Sequence, residues 1–344
     1  MKKILSVILI ILSLCSCSNF EKTEKFTDYS FDYFDTVTTI VGYETDKQKF
    51  DENCVKIKKQ LEEYHKLFDI YTKYENINNL AVINASKEPL KVDKKIIDML
   101  SFSKQMYFET NSHVNIAMGS VLKIWHQYRT EGINDPVNAK LPDINALKIA
   151  NEHTNIENLV INENENTVQL KDADMSLDVG AIAKGYAVEQ TALFMEENGI
   201  EGYLLNVGGN IRIVGKRQDG KKWKIGIENP NTNDEENPYA EYLELEGMSL
   251  VTSGSYQRFY VVDGKNYHHI IDGKTLMPAE HFASVSVLSK SSAVADALST
   301  ALFSMDFEKG RELIENTENT EALWIFPDGQ KMYSSNFKNY TSKK

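Results

Sequence analysis

The segment 291–304 combines an acid and a hydroxyl within an otherwise apolar predicted helix. Apolar residues around most of its circumference indicate a buried helix, yet Asp296 lies in its first turns. A buried ionised carboxylate costs several kcal/mol unless it is paired, hydrogen-bonded or bound to a metal. Thr300 lies four residues on, and Mg²⁺ prefers such oxygen ligands. The spacing leaves an alternative open, in which Asp296 complements the helix dipole and Thr300 bonds back to a carbonyl.

The segment 176–189 predicts a strand end, a glycine turn and a helix start beside one acid and one lysine. Gly180 and Gly185 allow the backbone to approach a ligand closely, and the first N–H groups of a helix attract an anion. Lys184 lies one turn into this helix, and we expect Asp178 to orient the turn by accepting backbone N–H bonds. An ordinary βα turn with a solvated lysine is the alternative.

Two adjacent histidines lie on a predicted strand over 266–271. His268 and His269 must point to opposite faces of that strand, so only one of them faces a given site. An imidazole with a pKa near neutrality can take a proton from an attacking hydroxyl. A structural histidine without catalytic duty is the alternative.

The predicted elements mix helices with antiparallel strands. Asp263-Gly264 separates two strand patterns, 258–262 and 266–271, and is typical of a tight hairpin. No long linker or internal repeat divides the chain, and the polar stretch 229–238 predicts a surface loop. The sequence therefore predicts an α+β fold, a single compact domain of antiparallel strands with packed helices. Apolar spacing predicts helices near 50–68, 92–109, 118–128, 181–197 and 291–304.

The N-terminus has the pattern of an export signal. Two lysines precede an apolar run over 4–14, which is shorter than the roughly 20 residues of a membrane-spanning helix. The small Ser16 precedes Cys17, the pattern of a bacterial lipoprotein signal, so we expect lipid on Cys17. This predicts a signal peptide over 1–16, a lipid-anchored tether over 17–29 and one domain over 30–340. A plain secretory peptide is the alternative.

Charge excludes a nucleic-acid-binding protein, and cysteine content excludes a protein held together by internal disulfides. The formal net charge is −12, and removal of the signal with its two lysines would leave 36 basic against 50 acidic residues. Nucleic acid is therefore excluded as a partner. Without the signal and the lipid site, Cys54 has no partner for an internal disulfide. It shares one helical stripe with apolar neighbours, which predicts a buried thiol: Ile57, Leu61, Tyr64 and Phe68.

Five motifs occur in a fixed order along the chain. The glycine turn 176–189 is followed by Asn206-Val-Gly-Gly-Asn-Ile-Arg212, Thr252-Ser-Gly254, Tyr267-His-His-Ile-Ile-Asp272 and Ala295-Asp-Ala-Leu-Ser-Thr-Ala301. In this order and spacing they resemble the ApbE family of flavin transferases, which move FMN from FAD onto a Ser or Thr of another protein. The likeness extends over nearly all of the chain after the signal.

The resemblance implies roles for individual residues. Asp296, Thr300 and the main-chain oxygen of Ala181 match the positions that hold a Mg²⁺ bridging the FAD phosphates. Lys184 would stabilise charge as the pyrophosphate breaks, and His269 would act as the base. Some members have a second acid where this chain has Ser299.

The resemblance also implies a set of FAD contacts. Tyr71 matches a tyrosine that packs on a ring of FAD, and Phe34 stands where many members have Met. An aromatic residue in an apolar stretch is otherwise a core residue. Asn115 replaces an acid that is usual in its loop. The remaining implied contacts are His113, Val114, Thr252, Ser253, Gly254 and Ile270.

The implied activity is Mg²⁺-dependent transfer of FMN from FAD to a Ser or Thr of an acceptor flavoprotein, with release of AMP. It would take place outside the cytoplasmic membrane, with the enzyme held to the lipid bilayer by its anchor. Two alternatives stay open. One is hydrolysis of FAD to FMN and AMP, and the other is a lipoprotein that binds flavin without chemistry.

Overall fold

The computed structural model describes residues 23–217 and 219–343. Strands β1–β15 and helices α1–α8 are numbered in chain order. Eight strands form one antiparallel sheet in the order β1-β2-β6-β7-β10-β13-β14-β15. Their bounds are β1 Glu24–Tyr33, β2 Thr36–Glu44, β6 Tyr203–Val207, β7 Asn210–Val214, β10 Ser249–Gly254, β13 Ser284–Ser289, β14 Thr320–Ile325 and β15 Lys331–Tyr333.

Three small sheets accompany the large one, in the orders β3-β5-β4, β8-β9 and β11-β12. Their strands are β3 Leu90–Lys91, β4 Leu159–Asn162, β5 Thr167–Leu170, β8 Trp223–Glu228, β9 Tyr239–Leu245, β11 Phe259–Val262 and β12 Lys265–His268. The helices are α1 Lys47–Phe68, α2 Leu80–Ala85, α3 Lys94–Glu109, α4 Gly119–Asn134, α5 Ile144–Asn151, α6 Ala183–Glu197, α7 Ser292–Phe303 and α8 Phe307–Glu315. The predicted α+β class is confirmed.

The large sheet lies between helices on one face and the β8-β9 hairpin on the other. Side chains alternate between the two faces of a sheet, so consecutive residues of one strand pack into different hydrophobic cores. Val251 and Val287 pack with α6 and α7, whereas Leu250 and Leu288 pack with the hairpin. The helix predicted over 291–304 is therefore buried, as expected.

The five predicted helices are all present, with small differences at their ends. The pattern near 118–128 ends too early, because α4 continues to Asn134. The stripe on α1 is confirmed, with Cys54 and its four apolar neighbours buried. Burial raises the pKa of Cys54 to about 12, which makes the thiol unreactive.

The predicted hairpin turn is confirmed at Asp263 and Gly264, whose φ angles are 51° and 80°. Two positive φ values are what the commonest two-residue hairpin turn requires. The second strand is shorter than predicted, since β12 ends at His268 and not at residue 271. The surface loop 229–238 connects β8 and β9 as expected.

The predicted tether needs a correction. Residues 24–29 belong to β1, which pairs with β2 from Glu24↔Glu44 onward. The ladder hydrogen bonds of that pairing fix a stretch that looked like polar linker, so the domain begins before residue 30. The signal peptide, Cys17 and the start of the tether lie outside the described residues. None of the helices over 23–343 is long and apolar enough to cross a bilayer.

Candidate functional site

Hydrogen bonds fix the turn before α6. The Asp178 N–H donates to the Ile116 carbonyl oxygen at 2.8 Å, and Asp178 Oδ1 accepts from the Gly180 N–H at 2.9 Å. Asp178 therefore orients the turn as predicted. The strand predicted to end before this turn is not present. Ser176 makes only an isolated bridge to Met118, and Asp178 then bonds to Ile116 in the loop before α4.

Gly185 brings α6 into close contact with α7. A Cβ at this position would lie 2.3 Å from Asp296 Cβ and 2.5 Å from the Ser292 carbonyl oxygen. Real atoms do not approach so closely, so only glycine fits between the helices. The expectation that Gly185 makes room for a ligand is corrected: it makes room for a helix.

Asp296 is 4% exposed and serves the N-terminus of a neighbouring helix. Its Oδ2 accepts from the Gly185 N–H at 2.7 Å and from Asn210 Nδ2 at 3.0 Å. Burial raises the pKa of Asp296, while the Lys184 charge and these two donors act against the rise. Within the described residues, Oδ1 accepts no hydrogen bond. The dipole that Asp296 complements is thus that of α6, and not of its own helix.

Two further oxygens, on residues four positions from Asp296 and from its partner Gly185, have no hydrogen-bond partner among the described residues. The Thr300 hydroxyl makes no hydrogen bond to any residue in 23–217 or 219–343, so the expected alternative of a bond back to a carbonyl is not present. The Ala181 carbonyl likewise accepts none from that part of the chain. A free carboxylate oxygen, a hydroxyl and a carbonyl form an all-oxygen donor set, which fits Mg²⁺.

Ser299 is committed to other contacts. Its hydroxyl donates to the Asp296 carbonyl oxygen at 3.0 Å and bonds Ser253 Oγ at 2.9 Å. Ser299 therefore ties β10 to α7. Next to Ser253, the Thr252 hydroxyl bonds Ser286 Oγ at 2.7 Å. Gly254 leaves room for an aromatic ring, because a Cβ there would meet Tyr256 Cε1 at 2.5 Å.

Lys184 is half-buried in the first turn of α6. Among the described residues it has no hydrogen bond or salt bridge, although its charge favours the ionised form of Asp296. An ammonium group without a partner at a helix N-terminus is suited to an anionic ligand.

The two adjacent histidines face different surroundings. His268 is buried against Phe303, with ring centroids 5.5 Å apart, and its Nε2–H donates to the Ala279 carbonyl at 2.6 Å. His269 instead has Nδ1 3.3 Å from the Arg258 carbonyl oxygen. A carbonyl only accepts, so the proton lies on Nδ1 and Nε2 is left as an acceptor.

His269 is held in its neutral form. Part of the ring reaches solvent, but the surrounding protein excludes most of the water. This burial, together with the charges of Arg258 and Arg129, lowers the pKa of His269 to about 3. The nitrogen Nε2 is therefore unprotonated throughout the neutral range.

Three residues that the sequence motifs did not indicate join this group: His126, Arg129 and Arg258. Tyr71 is 67% exposed, and its hydroxyl bonds His126 Nδ1 at 2.9 Å. Arg129 lies one turn after His126 on α4, and its charge and that of Arg258 lower the pKa of His126 in addition to burial. The charge of Asp178 raises the pKa of His126, which places the turn before α6 beside this cluster. No local signal marks these residues, because they come together only through tertiary packing.

The remaining predicted FAD contacts divide between surface and core. Phe34 lies in the β1-β2 turn, where its N–H donates to His65 Nδ1 at 3.2 Å and its ring packs on that imidazole. His113 and Asn115 line a cavity of about 320 Å³. The side chains of Val114 and Ile270 are buried in the core. A larger groove of about 790 Å³ contains none of the predicted site residues.

The chain is similar in sequence to a known family and to several curated proteins. Residues 34–324 match the ApbE family. A Treponema pallidum (strain Nichols) protein named FAD:protein FMN transferase is 32% identical over 265 residues, which cover 72% of this chain and 71% of the relative. A protein of the same name from Haemophilus influenzae is 27% identical over 361 aligned positions and spans both chains in full.

Solved structures share the fold. The ApbE protein of Thermotoga maritima superimposes with a TM-score of 0.79 at 25% identity, over 93% of this chain and 100% of that chain. The flavin transferase ApbE of Vibrio cholerae gives 0.77 at 27% identity, over 92% and 99%.

Proposed function

The chain belongs to the ApbE family, and we propose that it is an FAD:protein FMN transferase that attaches FMN to a Ser or Thr of an acceptor protein and releases AMP. The observation that carries the proposal is the neutral imidazole of His269, with Nε2 left as a proton acceptor. The turn before α6, with the free Lys184 ammonium, supports it by supplying an anion site.

The transfer is a displacement at phosphorus. The acceptor hydroxyl oxygen bonds to the phosphorus of the FMN phosphate, the bond from that phosphorus to the AMP oxygen breaks, and the hydroxyl proton passes to His269 Nε2. A base with a pKa of about 3 is weak, but a bound phosphate adds negative charge beside the ring and raises its pKa. Substrate binding thus makes His269 a better base when it is needed.

Ala181, Asp296 and Thr300 would hold Mg²⁺ through oxygen atoms. When bound, the ion supplies positive charge that neutralises the two phosphate groups during their separation. Lys184 adds a second positive charge at the same end of α6, and Asp296 keeps the helix terminus in place through Gly185. Ser299 brings no charge to this site, and its hydroxyl is bonded to Ser253 and to the Asp296 carbonyl oxygen.

The proposal includes a location. The short apolar run and Ser16-Cys17 support a lipoprotein whose domain lies outside the cytoplasmic membrane. The acceptor would then be a flavoprotein exposed on the same side of that membrane.

The test uses the protein with FAD, Mg²⁺ and an acceptor bearing Ser or Thr in a small, Gly-rich loop. We expect the acceptor to become heavier by FMN less water and AMP to appear in equal amount, measured by mass spectrometry and chromatography. His269→Asn should slow transfer by roughly 10²–10⁴-fold while FAD still binds, because the phosphate contacts lie on other residues.

Two other outcomes would contradict transfer. AMP and free FMN without any adduct on the acceptors would show hydrolysis of FAD. Flavin binding without release of AMP would show a binding protein.

A further inference from the structure

We propose that Arg129 on α4 and Arg258 before β11 form a clamp for the phosphate on the flavin side of FAD. The inference rests on the transfer reaction proposed above and adds two positioning residues to it.

The β11-β12 hairpin fixes one half of the clamp. The His269 N–H donates to the Arg258 carbonyl oxygen at 3.2 Å, so these residues lie opposite each other at the open end of the hairpin. Tyr260 and Tyr267 form an opposite pair two residues farther along. Because residues two apart point to the same side of a strand, all four side chains share one face.

Helix α4 covers that face. A Cβ at Gly132 would lie 2.6 Å from Tyr260 Cδ2, so the helix backbone rests directly on the tyrosine ring. Arg129 lies three residues before Gly132, on the same side of α4. Arg258 lies two residues before Tyr260 on the facing strand. The packing therefore brings Arg129 next to Arg258 and His269.

The two guanidinium groups lack an anionic partner. Within the described residues neither forms a salt bridge or a side-chain hydrogen bond. Burial first and the Arg258 charge next lower the pKa of Arg129, as expected for cations held together. Tyr71 and then Asp178 counter this effect on Arg129, but only Asp178 is a carboxylate, and His269 is neutral. The cluster thus carries excess positive charge that a bound anion would neutralise.

The chemistry of the neighbouring residue identifies the anion. His269 accepts the proton of the attacking hydroxyl, so the phosphorus under attack must lie within reach of the same ring. That phosphorus belongs to the FMN phosphate. Guanidinium groups bind phosphate oxygens through paired hydrogen bonds and stabilise the charge that develops during displacement.

The first experiment compares FMN with riboflavin, which lacks the phosphate, by flavin fluorescence in the absence of metal. The wild type should bind FMN more tightly than riboflavin. Arg129→Gln combined with Arg258→Gln should reduce that preference roughly 10- to 100-fold and leave riboflavin binding unchanged. Arg129→Lys keeps the positive charge and should therefore retain part of the preference for FMN that the double variant loses. Arg311→Gln on α8, an exposed arginine far along the chain, is the matched control and should change nothing.

The second measurement is the kinetics of AMP release at saturating Mg²⁺. The double variant should lower kcat roughly 10²–10³-fold, more than it raises KM for FAD. The charges that lower the pKa of His269 belong to Arg258, Arg129 and His268, so loss of the two arginines raises that pKa. The acid limb of the kcat/KM profile must therefore move to higher pH.

An unchanged FMN-to-riboflavin preference in the double variant would overturn the clamp. The clamp would also be overturned if the double variant lost affinity for AMP and kept its affinity for FMN. A wild type that binds FMN through these arginines but never cleaves FAD would instead contradict the transfer reaction, so the two failures are distinguishable.

Discussion

Asp296 uses its two carboxylate oxygens differently. Oδ2 binds Gly185 and Asn210, while Oδ1 accepts nothing from the described residues. We expect Asp296→Asn to keep the fold, because the amide oxygen can still accept from Gly185, and to lower Mg²⁺-dependent turnover at least 10²-fold through loss of the charge. AMP release is measured against Mg²⁺ concentration, together with Tm.

The exposed Asp306 on the surface offers a matched control, and Asp306→Asn should behave as wild type. Thr300→Val should weaken turnover less than Asp296→Asn, because a hydroxyl brings no net charge to an ion. If Asp296→Asn needed the same Mg²⁺ concentration as wild type, the acid would serve only the α6 terminus.

At the level of residues, the sequence predicts those residues of the site that lie within its motifs. Asp296, Lys184 and His269 were identified because their neighbours in the chain form motifs. Arg129 was not, since its nearest functional partner, Arg258, is far away in sequence and meets it only through the contact of Gly132 with Tyr260. Tertiary packing of this kind leaves no local pattern.

Helices α6 and α7 pack closely against each other at Gly185. Gly185→Ala would put Cβ 2.3 Å from Asp296 Cβ and against the Ser292 backbone, so the helices must move apart. We expect a loss of about 1–3 kcal/mol in the free energy of unfolding, measured by urea denaturation, because overpacked cores lose stability on this scale. Turnover should fall with it, as the Gly185 N–H would leave Asp296 Oδ2.

Gly310→Ala on α8 is the corresponding control. Its Cβ would meet the flexible end of Leu302 at 3.1 Å and the Trp324 ring at an ordinary contact distance of 3.8 Å, and alanine favours a helix more than glycine does. Stability should stay the same or rise. Equal stability of the Gly185→Ala variant and the wild type would show that α6 and α7 can separate freely.

At the level of elements, long periodic segments were predictable and short ones were not. The apolar stripe of α1 runs from Cys54 to Phe68 over about four turns, enough to identify the helix. Helices α2, α5 and α8 have six to nine residues and gain their stability from packing, so their patterns were too short to recognise. Strand β12 ends early because Ile270 and Ile271 pair with Ala279 and Pro278 in place of β11.

The position of β1 bears on the proposed membrane anchor. This edge strand begins at Glu24, seven residues after Cys17. Seven extended residues span at most about 25 Å, so a lipid on Cys17 would hold the domain close to the bilayer. We expect membrane-extracted protein to lack residues 1–16 and to carry diacylglycerol, as measured by intact mass.

Cys17→Ser is the control for this anchor and should leave an unlipidated protein with the same activity in solution. A soluble wild-type protein that begins at another residue would contradict the lipoprotein assignment.

The burial of Cys54 makes the domain convenient for optical studies. A chain that starts at Thr23 has this one thiol, and its pKa of about 12 keeps it from reacting with maleimide dyes. Val137, just after α4, is 93% exposed, so Val137→Cys would take a dye selectively. Energy transfer between that dye and the flavin of FAD would then follow the entry of substrate and the departure of FMN in real time.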